Sequence, residues 1–207
     1  MAKQSLNLEN SKKIVEKLSP SKIHYIDRCK LRYILDLTED PKQTRKVFNK
    51  HAFFGLLLHA VLEDYINAPY NLIEYNSHWE KIFQEKLSGF KQEGNDILVK
   101  YHLPYYQIKK EKLRFFLNEI SLKNLNKIKA EELVQGELIY GFADIIEDNN
   151  KYIKITDFKT GPIWEMKKGK NYKIKESYKT QLLTYGLTYW EKGYPANKIK
   201  CCIKGLS

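Results

Sequence analysis

Apolar residues recur at helical spacing over the first part of the chain. A helix is predicted to begin at Ser19-Pro20-Ser21, where a hydroxyl cap precedes the first turn, and Pro41 ends this segment. A longer pattern covers about 42–66 and is apolar nearly all round at its centre, which predicts a buried helix. Two amphipathic helices are predicted at about 76–90 and 105–126.

The pattern changes after Lys129, where short β-branched and aromatic runs replace the helical spacing. Two strands are predicted near 138–147 and 151–159, because the polar turn sequence Asp148-Asn149-Asn150 separates them. A helix over about 176–192, with Gly193 as its C-cap, and a strand over about 198–204 follow. This order predicts an α/β core preceded by a helical region.

The length of 207 residues suits one domain over 1–207, mainly helical in 18–130 and with an αβ core in 131–207. No apolar run is long enough to cross a membrane, so we expect no membrane partner. The polar stretch from Met1 to Glu9 lacks the apolar core of a signal peptide. We therefore expect a cytoplasmic protein, in the host cytoplasm if a phage encodes it.

The charge balance leaves two interpretations open. Lys and Arg number 36 against 25 Asp and Glu, for a formal net charge of +11. A surplus of this size favours a polyanionic partner, of which nucleic acid is the commonest. The drift toward Lys, Asn and Ile that AT-rich genomes produce would give the same balance, so charge alone does not define the function.

The chemistry is concentrated on two predicted strands. Side chains alternate along a strand, so Ile155, Asp157 and Lys159 share one face, and charges on a core-facing side are costly unless paired or bound to an ion. On the preceding strand, Asp144 interrupts an apolar run. If the strands are adjacent, the two carboxylates converge into a site for Mg²⁺ or Mn²⁺, with Lys159 positioned to orient water or offset negative charge. Strand-end acids neutralised by the many lysines are the alternative.

Together with residues around them, these positions resemble the PD-(D/E)xK nuclease core, and in particular its RecB-like branch, which includes RecB and AddB nuclease domains and CRISPR-associated RecB-type exonucleases. The matching segments follow in family order from 18 to 204: Leu18-Ser19-Pro20-Ser21 with Cys29, Gly55-x-x-x-His59, Gly141-Phe142-Ala143-Asp144, Asp157-Phe158-Lys159-Thr160-Gly161, and Gln181-x-x-x-Tyr185. The resemblance implies a restriction-endonuclease-like fold, with a central mixed β-sheet flanked by helices and an N-terminal helical region.

The resemblance also implies roles for the matching residues. Asp144, Asp157 and Lys159 would be catalytic, and His59 would join the two aspartates as a metal ligand. Gln181 and Tyr185, which share a helix face, would border the active site and contact DNA or position the lysine. Glu132 lies where relatives place another acid, with Glu131 and Glu137 as rivals. A zinc site built on His59 and Glu63 is set aside because it has no clear third ligand.

The cysteines depart from the pattern of many relatives, which hold an iron–sulfur cluster on one early cysteine and three late ones. Cys29 matches the early position, but Cys201 and Cys202 are adjacent and no cysteine follows them. Four thiolates are therefore lacking, and we predict no iron–sulfur cluster.

The leading hypothesis from the sequence is a Mg²⁺- or Mn²⁺-dependent deoxyribonuclease, an exonuclease acting on single-stranded or end-exposed DNA. The alternative is a non-catalytic or partner-dependent nucleic-acid-binding subunit that retains a nuclease fold. The chain has no GxxxxGK[ST] motif, so a helicase or recombination partner would be a separate polypeptide.

Overall fold

The computed structural model of the chain describes residues 18–28, 50–92, 103–137, 139–166 and 172–206. Its helices are α1 (Pro20–Arg28), α2 (Lys50–Asn67), α3 (Tyr75–Gln92), α4 (Leu103–Ser121) and α5 (Glu176–Glu191). Its strands are β1 (Ile128–Gln135), β2 (Tyr140–Asp148), β3 (Ile153–Lys159), β4 (Trp164–Met166), β5 (Tyr172–Ile174) and β6 (Ile199–Gly205). None of the helices described is long and apolar enough to cross a membrane.

Four strands form a mixed sheet in the order β1-β2-β3-β6. The first three are antiparallel neighbours, whereas β6 lies parallel to β3. A parallel neighbour requires a crossover, and α5 supplies it by packing on the sheet between β3 and β6. Helices α2 and α4 pack on the opposite face of the sheet from α5. The expected restriction-endonuclease-like fold, a mixed sheet flanked by helices, is confirmed.

Two apolar clusters lie on the two faces of this sheet. The larger is built around α2, whose buried side chains include Phe53, Leu57 and Val61, and it takes in side chains of α3 and α4. The smaller joins α5, through Leu182 and Tyr185, to the sheet. The prediction of a buried helix here is confirmed, because α2 is apolar nearly all round and is enclosed by the sheet and by two helices.

Local capping explains where several elements begin and end. Ser19 caps α1 as expected, with Ile23 N donating to Ser19 O at 3.1 Å and Lys22 N to the hydroxyl at 3.4 Å. The turn between β2 and β3 contains Asn150 at φ 64, a left-handed conformation that Asn tolerates. Gly193 has φ 92 beyond the C-terminal end of α5, as its expected capping role requires.

The structure also differs from the predicted elements. β1 had not been separated from the region that follows Lys129, and the short ribbon formed by β4 and β5 had not been predicted. The helix predicted over 105–126 ends at Ser121, and a 3₁₀ turn, Leu125–Lys127, follows. Asn124 caps this turn, because its side chain accepts a hydrogen bond from Asn126 N. Residues 42–49 of the predicted second helix lie outside the described residues.

Candidate active site

The candidate site lies where α2 packs against β1 and β2. His59, on α2, points its Nδ1 atom at two carboxylates, at 2.8 Å from Glu131 Oε1 and 3.2 Å from Asp144 Oδ1. One ligand atom from each of these three residues lies within 4.8 Å of the others. One nitrogen and two carboxylate oxygens in this space form a ligand set suited to a divalent cation.

An irregularity in β1 and β2 turns Glu131 and Asp144 toward His59. On β1, Ile128 packs in the cluster around α2 and Val134 in the cluster around α5, although regular alternation would place both on one face. Ile145 and Ala143 on β2 are divided between the clusters in the same way. Glu131 has φ 47, a left-handed conformation rare for a strand residue, at the point where the face changes.

The irregularity leaves the strand register unchanged. Ala130 still faces Ile145 and Glu132 faces Ala143. The position of Glu131 is therefore opposite Asp144, and both contribute to the side of the sheet that His59 covers. Two neighbouring acids thus reach one face without a slip in the pairing of the rest of the sheet.

Asp144 is fixed by the neighbouring strand. The pairing of β2 with β3 reaches Ile145 opposite Thr156, and the next hydrogen bond is made by a side chain, with Phe158 N donating to Asp144 Oδ2. Continuing the register by one residue places Asp144 opposite Asp157. The buried Asp144 carboxylate therefore has one oxygen on the backbone of β3 and the other directed at His59.

Asp157 and Lys159 form a second pair at the end of β3. Lys159 Nζ donates to Asp157 Oδ1 at 2.9 Å and to Gln181 Oε1 on α5 at 3.0 Å. The same ammonium lies 2.8 Å from Asp157 Oδ2, but this contact lacks hydrogen-bond geometry, and Oδ2 is one of two buried side-chain oxygens without a hydrogen bond in the described part of the chain. A buried oxygen with free lone pairs also fits a site that takes a cation.

The protonation states of the site reflect these contacts. Burial opposes a charge on His59, but hydrogen bonds to Asp144 and Glu131, and their charges, outweigh it and raise the pKa of His59 to about 10. Burial raises the pKa of Asp157 to about 6; Lys159 opposes this rise, and the charge of Asp144 adds to it. Without a cation, His59 is therefore an imidazolium that neutralises part of the carboxylate charge.

Tyr185 joins α5 to β2 next to these acids. It is 3% exposed, and its hydroxyl donates to Phe142 O at 2.7 Å. Burial raises the pKa of Tyr185 to about 12, with a hydrogen bond from Gln181 acting in the opposite direction. A Cβ on Gly141 would lie 2.9 Å from this hydroxyl, so the ring requires glycine at that position. Tyr185 and Gly141 therefore act as one packing unit that holds β2.

The N-terminal segment packs at the same place. Leu18 forms a bridge to Ile139, and Leu18 O accepts from Tyr140 N at 3.2 Å. The ring of Pro20 lies over Gly141, where it would be 3.1 Å from an added Cβ. The segment Leu18-Ser19-Pro20-Ser21 is thus explained by packing against the start of the strand that carries Asp144.

A model of the PD-(D/E)XK nuclease superfamily matches residues 17–204 of the chain. The chain belongs to this superfamily. Its members are metal-dependent nucleases, so the ligand set around His59 and the Asp157–Lys159 pair lie in a nuclease fold. No curated protein and no solved structure was found to match the chain.

Within this superfamily fold, the structure brings together most of the residues that the sequence suggested. His59 and Asp144 are in contact, and Asp157, Lys159 and Gln181 are linked by hydrogen bonds. Glu131 joins His59 and Asp144 in the cluster of possible ligands, while Asp157 pairs with Lys159, so the expected role of Asp157 as a metal ligand stays a prediction. Tyr185 was expected to border the active site and to contact DNA or position the lysine; it is buried and donates to Phe142 O, and its role toward substrate stays a prediction.

Glu131, one of the two rivals that the sequence left open beside Glu132, is the acid that contacts His59. Glu132 pairs with Lys129 at 2.9 Å, and its charge acts on Tyr189 of α5, on the other side of the sheet. Glu63 lines the cavity beside His59 but is not one of the three clustered residues. Cys201 donates to Leu182 O at 3.4 Å. Cys29 lies outside the described residues, so the absence of a cluster stays a prediction.

Proposed function

We propose that this chain is a Mg²⁺- or Mn²⁺-dependent deoxyribonuclease of the RecB-like branch, acting on single-stranded or end-exposed DNA. The observation that carries the proposal is the arrangement of His59, Glu131 and Asp144 as one ligand cluster beside a lysine anchored at the end of β3. The order of the histidine, Gly-Phe-Ala-Asp, Asp-x-Lys and Gln-x-x-x-Tyr segments supports the branch.

The ligand set supports a choice of metal. His59, Glu131 and Asp144 would hold the ion, and the buried Asp157 carboxylate, which lacks a hydrogen bond at Oδ2, is the further candidate ligand. Carboxylates suit both Mg²⁺ and Mn²⁺, whereas an imidazole nitrogen is a better ligand for Mn²⁺. A bound divalent ion would supply Lewis acidity toward a phosphate oxygen and lower the pKa of water. We expect higher activity with Mn²⁺ than with Mg²⁺ at low metal concentration.

The protein's own groups supply the remaining chemistry. Lys159 has two hydrogen bonds, to Asp157 and Gln181, that fix the position of its ammonium. A fixed positive charge beside a scissile phosphate stabilises the negative charge that develops there, and it does so without reorganisation. Gln181 is therefore a positioning residue, which acts through Lys159.

The surface next to the cluster suits nucleic acid. A cavity of about 630 Å³ lies beside His59, with Gly55, Leu56, Ala60, Glu63, Lys86, Glu131 and Phe142 also in its lining. Phe142 and Leu56 are half exposed and offer apolar contact to a sugar or base. The net charge of +11 supplies attraction to the phosphate backbone.

Purified protein tests the proposal. Linear single-stranded DNA should be degraded with Mn²⁺ or Mg²⁺ and not with EDTA, and Lys159→Met should lower the rate by about a hundredfold or more, as loss of one preorganised charge does. Lys154→Met removes the same charge from the same strand outside the site and should leave the rate unchanged. Activity equal in both variants would overturn the catalytic assignment.

A comparison of linear with circular substrates distinguishes an exonuclease from an endonuclease. An exonuclease degrades linear strands and leaves covalently closed circular single strands intact, whereas an endonuclease cuts both. A wild-type protein that binds DNA but cleaves neither with any divalent ion would support the alternative, a nucleic-acid-binding subunit that is non-catalytic or dependent on a separate partner.

A further inference from the structure

A two-stranded ribbon leaves the sheet directly after the candidate active site. β4 and β5 pair in antiparallel fashion, with Trp164 opposite Ile174 and Met166 opposite Tyr172. Lys175 N donates to Ile163 O at 3.0 Å at the base of the ribbon. The chain therefore passes from Lys159 through the ribbon to α5, which carries Gln181.

The ribbon has one apolar face, which we call the ribbon face, formed by Trp164, Met166, Tyr172 and Ile174. Trp164 and Met166 are two residues apart and so project to the same side, and directly opposed residues share that side. Trp164 is 56% exposed, and Met166 and Tyr172 are each 67% exposed. Exposed aromatic groups clustered on one face are typical of a binding surface.

The opposite face of the ribbon is polar and internally satisfied. Glu165 and Lys173 are paired across the strands at 2.9 Å. A ribbon of two short strands is marginal by itself, so this ion pair and the backbone bond at the base help to hold its shape. The apolar residues therefore do not serve a core inside the ribbon, and they are presented outward.

The ribbon face lies close to the reacting groups. Trp164 is five residues beyond Lys159, so their Cα atoms are separated by at most about 18 Å of fully extended chain. Tyr178, at the start of α5, bridges the two regions, with Lys159 Nζ 4.9 Å and Lys175 Nζ 5.5 Å from its ring centroid. A strand of DNA in the active site would reach both the lysines and the ribbon face.

From these observations we infer that the ribbon face binds unpaired bases of the DNA substrate by stacking on Trp164 and Tyr172, and so gives the enzyme its preference for single strands. This inference rests on the proposed function. Indole and phenol rings stack on any base, while the positive charge of Lys175 and Lys159 complements the phosphates between the bases. A fully paired duplex has no free base faces to offer this surface.

Binding without cleavage tests the inference, and a second tryptophan provides a matched control. Trp190 is 57% exposed on α5 and lines a cavity near Gly136 and Glu191, away from the ribbon. Affinity for fluorescein-labelled oligothymidine and for a blunt duplex is measured by anisotropy in EDTA. Trp164→Ala should weaken binding of the single strand by about five- to a hundredfold, the loss of one stacked base, and change duplex affinity less than twofold.

Three further outcomes decide the inference. Trp190→Ala should match wild type, Tyr172→Ala should repeat the selective loss, and Trp164→Phe should restore most of the affinity. The inference would be overturned if the variants lost affinity for single strand and duplex equally, or if neither Trp164→Ala nor Tyr172→Ala lost affinity for the single strand. It would also be overturned if these variants differed from wild type in the mass measured by light scattering while their DNA affinity was unaltered. That result would indicate that a second copy of the chain binds this face.

Failure of the inference is distinguishable from failure of the proposed function. Hydrolysis of bis(p-nitrophenyl) phosphate, which has no bases, should be the same in Trp164→Ala and wild type. Cleavage with unchanged DNA binding in Trp164→Ala removes the ribbon from recognition and leaves the nuclease assignment intact. Absence of cleavage in the wild type removes the assignment itself.

Discussion

Replacing Gly141 by alanine tests the packing unit that holds β2 beside the acids. An added Cβ would lie 2.9 Å from Tyr185 Oη, 3.0 Å from Tyr185 Cε1 and 3.1 Å from Pro20 Cδ. All three distances are shorter than ordinary carbon contacts. The Tyr185 ring is buried on α5 and hydrogen-bonded to Phe142 O, so it can move only by giving up that bond or by displacing the helix.

The structure sets the size of the effect. Forcing an extra methyl into a packed position costs about 1–3 kcal/mol. Loss of the hydrogen bond to Phe142 adds about 0.5–1.5 kcal/mol. We therefore expect Gly141→Ala to lower the free energy of unfolding by roughly 2–4 kcal/mol, which for a chain of this size lowers Tm by about 4–16 °C.

Thermal and urea unfolding followed by circular dichroism measure the effect, with Gly89→Ala as the control. Gly89 is an exposed glycine of α3 with nothing within 4 Å of an added Cβ. The same substitution there should raise stability by up to about 1 kcal/mol, since alanine favours the helix. Substitutions at neutral surface positions change the free energy of unfolding by up to about 0.5 kcal/mol. A change no larger than this in Gly141→Ala would refute the packing argument.

Two further predictions concern the ligand cluster and the C-terminal strand. Glu131→Gln should weaken Mn²⁺ binding in calorimetry by roughly tenfold or more, whereas Glu132→Gln, the same change on the other side of the sheet, should not; equal losses would remove Glu131 from the cluster. Lys109 is buried and donates to Thr160 O and Leu206 O. Lys109→Met should therefore lower the free energy of unfolding, because each of the two carbonyls loses its donor at a cost of about 1–3 kcal/mol. The exposed Lys112→Met is its control, and equal urea midpoints for the two variants would contradict the buried role.

Much of the fold could be predicted from local patterns. A segment that is apolar nearly all round predicts a buried helix, and the alternation of side chains predicts which residues share a face at the end of β3, so both could be located from local sequence. Asp157 and Lys159 share a face as expected, because β3 pairs with β6 without interruption from Ile153 to Lys159. Tyr185 shows the limit of this approach: its spacing from Gln181 placed it on the correct helix face, but only the packing against Gly141 gives it a structural role.

The third acid of the site could not be predicted from alternation. Glu131 and Glu132 are adjacent, and a regular β1 would place them on opposite faces with no indication of which face meets His59. A single residue at φ 47 changes the face of the strand, and the matching change in β2 keeps the register. No local rule favours this conformation for glutamate, because contacts with α2 and β2 impose it.

The sequence by itself determined the order of most elements, the buried α2 and the pairing of an acid with a lysine at the end of β3, since each follows from the apolar and polar residues of its own segment. Tertiary structure decided which acid joins His59 and Asp144. It also decided that Tyr185 packs against Gly141, and that β4 and β5 pair so that their apolar residues share one face. These features depend on contacts between residues distant in the chain, and such contacts leave no periodic trace in the sequence.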